Sequence, residues 1–198
     1  MRYGHQYIWY EFSESALEIV NNAIEKNKDS IEFKKSTILS GVNEDINVVD
    51  EGTSGRKGTV GWINGDDNLN RMLCDTVEKV NKDADWNLGM NYLEPIQYGI
   101  YNIGDHYGWH NDQGKYSPEN QLVRKVSMSL FLNDPDEYEG GELDIDFKNP
   151  YADPRYDTLK LDRGYAVFFQ SHLWHRVRPV RSGVRKSLVA WFGGPYYV

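Results

Sequence analysis

From about Tyr92 onward the chain is a succession of short apolar or alternating runs broken by turn residues. The runs are IQYGIYN (96–102), the segment around GWHND (108–112), KVSMSLFLN (125–133), ELDIDF (142–147), DTLKL (157–161), YAVFFQ (165–170), HRVRPV (175–180) and RKSLVAWF (185–192). Between them lie NDPDEYEGG, KNPYADPR, DRG and RSG, rich in the Gly, Pro, Asn and Asp of turns. Parallel strands need long crossovers, usually helical, and no helix of ordinary length fits these gaps. Seven or eight strands at this spacing therefore predict an antiparallel sandwich or jelly roll.

The first ninety residues have a different texture. Leu17, Val20 and Ile24, with Ala16 and Ala23, recur at helical spacing and predict a helix from Ser13 to about Lys28, with Ser13 as N-cap. A second helix is predicted from about Asn68 to Lys82, capped by Asp67 or Asn68, with Leu69, Met72, Leu73, Thr76, Val77 and Val80 on one face. GVNEDINVVDEGTSGRKGT (41–59) reads as a long loop around a short extended piece, either a lid or a surface insertion. The expected fold class is α+β with a mainly β core: a double-stranded β-helix (jelly roll, cupin-like) with N-terminal helices packed against the barrel. The expectation is one domain over 1–198, with helical support and loop at 1–91 and the jelly-roll core at 92–198.

Composition narrows the function classes. Thirty acidic residues against twenty-two basic give a net charge of −8, which disfavours a general nucleic-acid partner and leaves room for a local basic groove. Cys74 is the single cysteine, so neither an intramolecular disulfide nor a thiolate metal site can form. No signal-peptide pattern and no apolar run of about 18 residues is present, so the expectation is a soluble, cytoplasmic protein without a membrane partner. The oligomeric state is left open.

Four of the five histidines, His106, His110, His172 and His175, fall in two short segments of the strand-rich half. His110-Asn111-Asp112 is an H-x-D arrangement, and residues two apart on a strand face the same side. His175, sixty-three residues later, can join them only by tertiary contact, which the pairing of early and late jelly-roll strands provides. Two imidazoles and a carboxylate on one face of an octahedron leave three open positions, the facial triad of non-haem iron(II) oxygenases. Alone, H-x-D is a common surface tripeptide. Arg185 adds weight: it follows His175 by ten positions, across the turn Arg181-Ser182-Gly183. Two strands joined by that turn would bring a guanidinium to the metal end, where it can grip a dicarboxylate bidentately.

The span from about Ile96 to Pro195 resembles the prolyl 4-hydroxylase-like Fe(II)/2-oxoglutarate dioxygenases, especially the PKHD-type hydroxylases. Tyr101-Asn-Ile-Gly104-Asp-His-Tyr107-Gly-Trp-His110-Asn-Asp112 is similar to the family's Y-x-x-G-x-x-Y-x-x-H-x-D. Arg124 through Asn133 resembles its R-x-x-S/T strand, DEYEGGEL (136–143) its hairpin, and His175 through Trp191 its closing H-x-V-x-P-V…G-x-R…W. The resemblance implies that His110, Asp112 and His175 bind iron. It implies that Arg185, helped by the Tyr101 hydroxyl, holds the far carboxylate of 2-oxoglutarate, and that Arg124 and Trp191 line the substrate pocket. The implied cofactors are Fe(II), 2-oxoglutarate, O2 and ascorbate as reductant. The implied reaction is hydroxylation, for which Asp112 speaks because related halogenases lack that carboxylate. The implied partner is a peptide or protein substrate, modified at a prolyl residue. Collagen-type enzymes usually have lysine where this chain has Arg185, so the resemblance speaks less for a collagen-like substrate.

Alternatives within the same chemistry are oxygenation of a free metabolite or a nucleic-acid base. From another class comes a non-catalytic, cupin-like metal-binding module, although cupins present H-x-H rather than H-x-D. Other residues have plain readings: Gly140 and Gly141 as a hairpin turn, Tyr107 and Trp109 as core or pocket wall, His106 and His172 as neighbours of the ligands, His5 as surface, and Cys74 as a small buried hydrophobe.

Overall fold

The computed structural model describes residues 6–28, 34–38, 55–113, 122–147 and 153–196. Ahead of the strand-rich half lie β1 (Tyr7–Glu11), α1 (Glu14–Asn27), β2 (Lys34–Ile38), β3 (Arg56–Ile63) and α2 (Asp67–Asp83). Next come β4 (Tyr92–Leu93), β5 (Ile96–Tyr101), β6 (His106–His110), β7 (Leu122–Phe131), β8 (Tyr138–Gly140) and β9 (Leu143–Asp146). The chain continues through β10 (Tyr156–Leu159), β11 (Tyr165–Gln170), β12 (His175–Val177), β13 (Val180–Gly183) and β14 (Arg185–Pro195).

The two helices form where the apolar spacing places them. Ser13 caps α1, its hydroxyl accepting the Ala16 N–H at 3.3 Å, and Leu17, Val20 and Ala23 face inward. Asp66, rather than Asp67 or Asn68, caps α2, because Asp67 already has helical backbone; Oδ1 of Asp66 accepts from the Leu69 N–H at 2.9 Å.

One curled antiparallel sheet carries most of the fold, in the order β1-β11-β7-β14-β5-β3-β6-β12-β9-β10, with β2 on β3 and β4 on β14. A second, two-stranded sheet pairs β13 with β8. Strand alternation sorts the central strands into two buried faces. Val126, Met128 and Leu130 of β7, Ala166 and Phe168 of β11, and Leu188, Ala190 and Phe192 of β14 join the helices in one core. Val167, Phe169 and Phe131 face the other way, towards Tyr101, Leu143, Ile145 and Val177. Burial on both faces is why these strands read as near-continuous apolar runs.

This is the expected jelly roll, with departures at its edges. The segment expected to hold only helices and a loop supplies three strands, and β3 sits inside the main sheet between β5 and β6. Of the 41–59 loop, residues 56–59 begin β3, and a lid role for the remainder lies outside the described residues. The run 175–180 is broken at Arg178-Pro179, since proline has no N–H to continue the ladder. Arg181-Ser182-Gly183, expected as a turn, belongs to β13.

Candidate active site

Antiparallel pairing of β6 with β12 sets His175 directly opposite His110. Each ring directs Nδ1 at a backbone carbonyl two residues earlier, His110 to Gly108 at 2.8 Å and His175 to Leu173 at 3.1 Å. A carbonyl only accepts, so Nδ1 carries the proton and Nε2 keeps its lone pair for a ligand. Nε2 of His110 lies 3.6 Å from Oδ1 of Asp112, and Nε2 of His175 lies 3.4 Å from Oδ2. One ligand atom from each residue falls within 4.8 Å of the others.

Asp112 converges for a different reason from the one strand alternation suggests. β6 ends at His110, and Asp112 lies beyond it, fixed by its N–H donating to the Ser171 carbonyl at 2.9 Å. Tyr107 stacks on the His110 ring at 3.5 Å and 13°, and Phe169 meets His175 edge-on at 4.6 Å, so both imidazoles are held by packing.

Burial, reinforced by His175, lowers the His110 pKa to about 3, so the ring is neutral at physiological pH. Burial also pushes the Asp112 carboxyl upward, but the adjacent His175 and His110 outweigh it and leave it below its ordinary value. Two imidazole nitrogens and a carboxylate suit a borderline divalent ion such as Fe(II).

Arg185 opens β14 opposite Tyr101 of β5. It is only 1% exposed, and its guanidinium sits 5.4 Å from the Tyr101 ring centre and 5.3 Å from that of Phe131. Nη1 donates to Ser187 Oγ at 3.0 Å, whereas Nε and Nη2 are buried without a hydrogen-bond partner. The expected route to this position was a turn joining its strand to that of His175. Instead, β5, β3 and β6 separate β14 from β12, and the curl of the sheet brings Arg185 to the cavity from another wall.

Gly140 and Gly141 do more than close a hairpin. A Cβ on Gly140 would lie 2.1 Å from the Pro179 carbonyl oxygen, and one on Gly141 (φ +65°) 3.0 Å from Cδ of Arg185. The missing side chain of Gly141 lets the backbone close on Arg185, and that of Gly140 lets β8 close on the Pro179 carbonyl.

Arg124 is fully engaged. Nε and Nη2 donate to Glu94 at 2.6 and 2.5 Å, Nη1 reaches the Asp112 carbonyl at 3.4 Å, and its face lies 4.2 Å from the Trp191 ring centre. Arg124 and Trp191 both line the cavity of about 230 Å³ that the triad and Arg185 border.

Arg56 and Trp62, on β3, also line it, and sequence reasoning passed over both. The available signal was the alternation through RKGTVGWI, which was masked by the charged, Gly-rich stretch before it. His106, His172 and Trp109 are not among the lining residues, and Trp109 packs on Tyr156. Cys74 is half-buried on α2, its thiol pushed up by burial and by Asp75 and Glu78. His5 lies outside the described residues.

Residues 96–193 match the model of the 2OG-Fe(II) oxygenase superfamily. A PKHD-type hydroxylase of Psychrobacter sp. (strain PRwf-1) is 39% identical over 102 residues, covering 50% of this chain and 38% of that protein. One from Parvibaculum lavamentivorans is 32% identical over 126 residues, 62% of this chain and 53% of its own length. The matches thus span about half or less of these relatives.

A Pseudomonas putida prolyl-4-hydroxylase superposes with TM-score 0.64 at 18% identity, covering 95% of this chain and 92% of that one. The viral collagen prolyl hydroxylase of Paramecium Bursaria Chlorella virus-1 gives 0.64 at 18%, covering 96% and 97%. At such identity these two establish the shared fold. With the His-Asp-His cluster and Arg185 inside the matched span, the chain belongs to the 2OG-Fe(II) oxygenase superfamily, a family that implies Fe(II) and 2-oxoglutarate.

Proposed function

We propose that this chain couples oxidative decarboxylation of 2-oxoglutarate to hydroxylation of a substrate carbon, that of a prolyl residue in a peptide or protein. The observation that carries the reading is Arg185, a buried guanidinium with two unpartnered nitrogens in the same cavity as the His-Asp-His cluster. A cation so placed calls for an anion, and a dicarboxylate that also reaches the metal answers that call. The prolyl assignment is supported by the hydroxylases that the chain resembles in sequence and fold.

In this reading His110 and His175, through Nε2, and the Asp112 carboxylate would hold Fe(II). When bound with 2-oxoglutarate, it supplies dioxygen activation, releasing succinate and CO2 and delivering one oxygen atom to substrate. Gly108 and Leu173 fix the tautomer that presents both Nε2 atoms. Arg185, assisted by Tyr101 across the strand pair, grips the far carboxylate. Arg124 contributes mainly by holding the Asp112 backbone and stacking on Trp191, which walls the cavity. Ascorbate would serve as the reductant that keeps the iron divalent.

The test is turnover by purified chain supplied with Fe(II), ascorbate, 2-oxoglutarate and air. Succinate formation is expected, and prolyl peptides offered with it should gain one oxygen by mass. Absence of succinate under every condition would favour a metal-binding module instead. Succinate with oxygen transfer only to free metabolites or bases would keep the chemistry and remove the prolyl assignment.

A further inference from the structure

We propose that Arg56 recognises the substrate of this site by pairing with a carboxylate that the substrate carries; the inference rests on the oxygenase reading above. Three arginines line the cavity, and they differ in what already occupies them. Arg124 is neutralised by Glu94 through two short hydrogen bonds. Arg185 is assigned to the cosubstrate. Arg56 is 9% exposed, and its Nε and Nη2 are buried without a hydrogen-bond partner. Its guanidinium packs on the Tyr107 ring, 4.8 Å from the centre, and Tyr107 in turn stacks on His110. The charge is therefore held in the wall of the cavity, against the ring that stacks on the metal-facing histidine.

A buried guanidinium without a counter-charge is unfavourable, and a planar fork of donors suits a carboxylate. The anions of the oxygenase reading do not satisfy it. The Asp112 charge faces the metal, and the two carboxylates of 2-oxoglutarate are taken by the metal and by Arg185. Among the described residues one cation is left over on the wall, in a chain whose net charge is −8, so general basicity does not account for it. A substrate carboxylate supplies the missing partner. It could come from a free α-carboxylate at the end of the substrate or from an Asp or Glu side chain beside the modified residue.

The experiment uses the full chain loaded with Zn(II), a redox-inert stand-in, and 2-oxoglutarate, with binding followed by calorimetry. N-acetyl-proline is compared with N-acetyl-prolinamide for a terminal carboxylate. N-acetyl-Pro-Glu-amide is compared with N-acetyl-Pro-Gln-amide for a side-chain one. In at least one pair the acid is expected to bind about tenfold more tightly than its amide, the value of one charge-assisted contact. Arg56→Gln should shrink that ratio to about twofold or less, and Arg56→Lys, which keeps the charge, should retain part of it. Equal binding of acid and amide in both pairs, failure of all four probes to bind, or an undiminished preference in Arg56→Gln would overturn the proposal. Titration of 2-oxoglutarate alone separates the two readings. If the metal-loaded chain does not bind it, the oxygenase reading fails; if it binds but no acid is preferred, only the role of Arg56 fails.

Discussion

Replacing Arg185 with methionine should move stability in opposite directions with and without 2-oxoglutarate. The side chain is 1% exposed and makes one hydrogen bond, to Ser187, while two of its nitrogens have none. Leaving a buried donor unsatisfied costs about 1–3 kcal/mol, more for a charged group, against about 1.5 kcal/mol for the one bond made. Methionine fills similar space without the charge, so Arg185→Met should stabilise the cosubstrate-free protein by about 1 kcal/mol, or about 2–4 °C in Tm at this chain length.

With 2-oxoglutarate the sign reverses. Two charge-assisted hydrogen bonds at about 1.5–3 kcal/mol each amount to about 3–6 kcal/mol of cosubstrate affinity. Their loss should weaken binding by about two to four orders of magnitude. At a concentration near 100 times the parent Kd, 2-oxoglutarate should stabilise the unmodified protein by about 2.7 kcal/mol and the variant hardly at all. Thermal unfolding of both proteins, loaded with Zn(II), with and without 2-oxoglutarate, reads all four states. A variant that is several degrees less stable in its absence, yet keeps the full 2-oxoglutarate shift, would refute the reasoning and make Arg185 a structural residue.

Further outcomes follow from the same geometry. His110→Ala or Asp112→Ala should abolish stoichiometric Fe(II) binding in equilibrium dialysis and eliminate succinate formation; full activity in either would dismiss the triad. The metal-free protein should lose stability as pH falls. His110 titrates at about 3 when folded, and near 6.5 when unfolded. The unfolded state therefore binds the extra proton between those values, and the His110 contribution is lost as pH drops through that window. Urea midpoints for the parent and His110→Ala at pH 7 and pH 4.5 isolate it, and an identical pH response in both would contradict it. Gly140→Ala should cost about 1–3 kcal/mol from the left-handed backbone alone, and more from the clash with the Pro179 carbonyl. Its urea midpoint should fall accordingly, and an unchanged midpoint would contradict the close approach of Pro179.

The local pattern of the chain determined a good deal. Period-two runs separated by Gly, Pro and Asp turns are legible because strand formation and reversal depend on neighbouring residues, and YAVFFQ became β11 over the same six residues. Helical spacing from Leu17 to Ile24 and from Leu69 to Val80 was legible for the same reason. His110, Asp112, His175 and Arg185 could be singled out because few residue types bind metal or grip a dicarboxylate, and their spacing is distinctive.

What these residues meet was decided only by tertiary structure. Asp112 turns towards the histidines because Ser171 holds its backbone, and Glu94 neutralises Arg124 across thirty residues. Arg56 enters the cavity because β3 inserts between β5 and β6. Which arginine is satisfied and which is left with open donors depends on partners far away in sequence. Local periodicity carries no information about them, because pairing across a curled sheet is set by the burial of whole strands against one another.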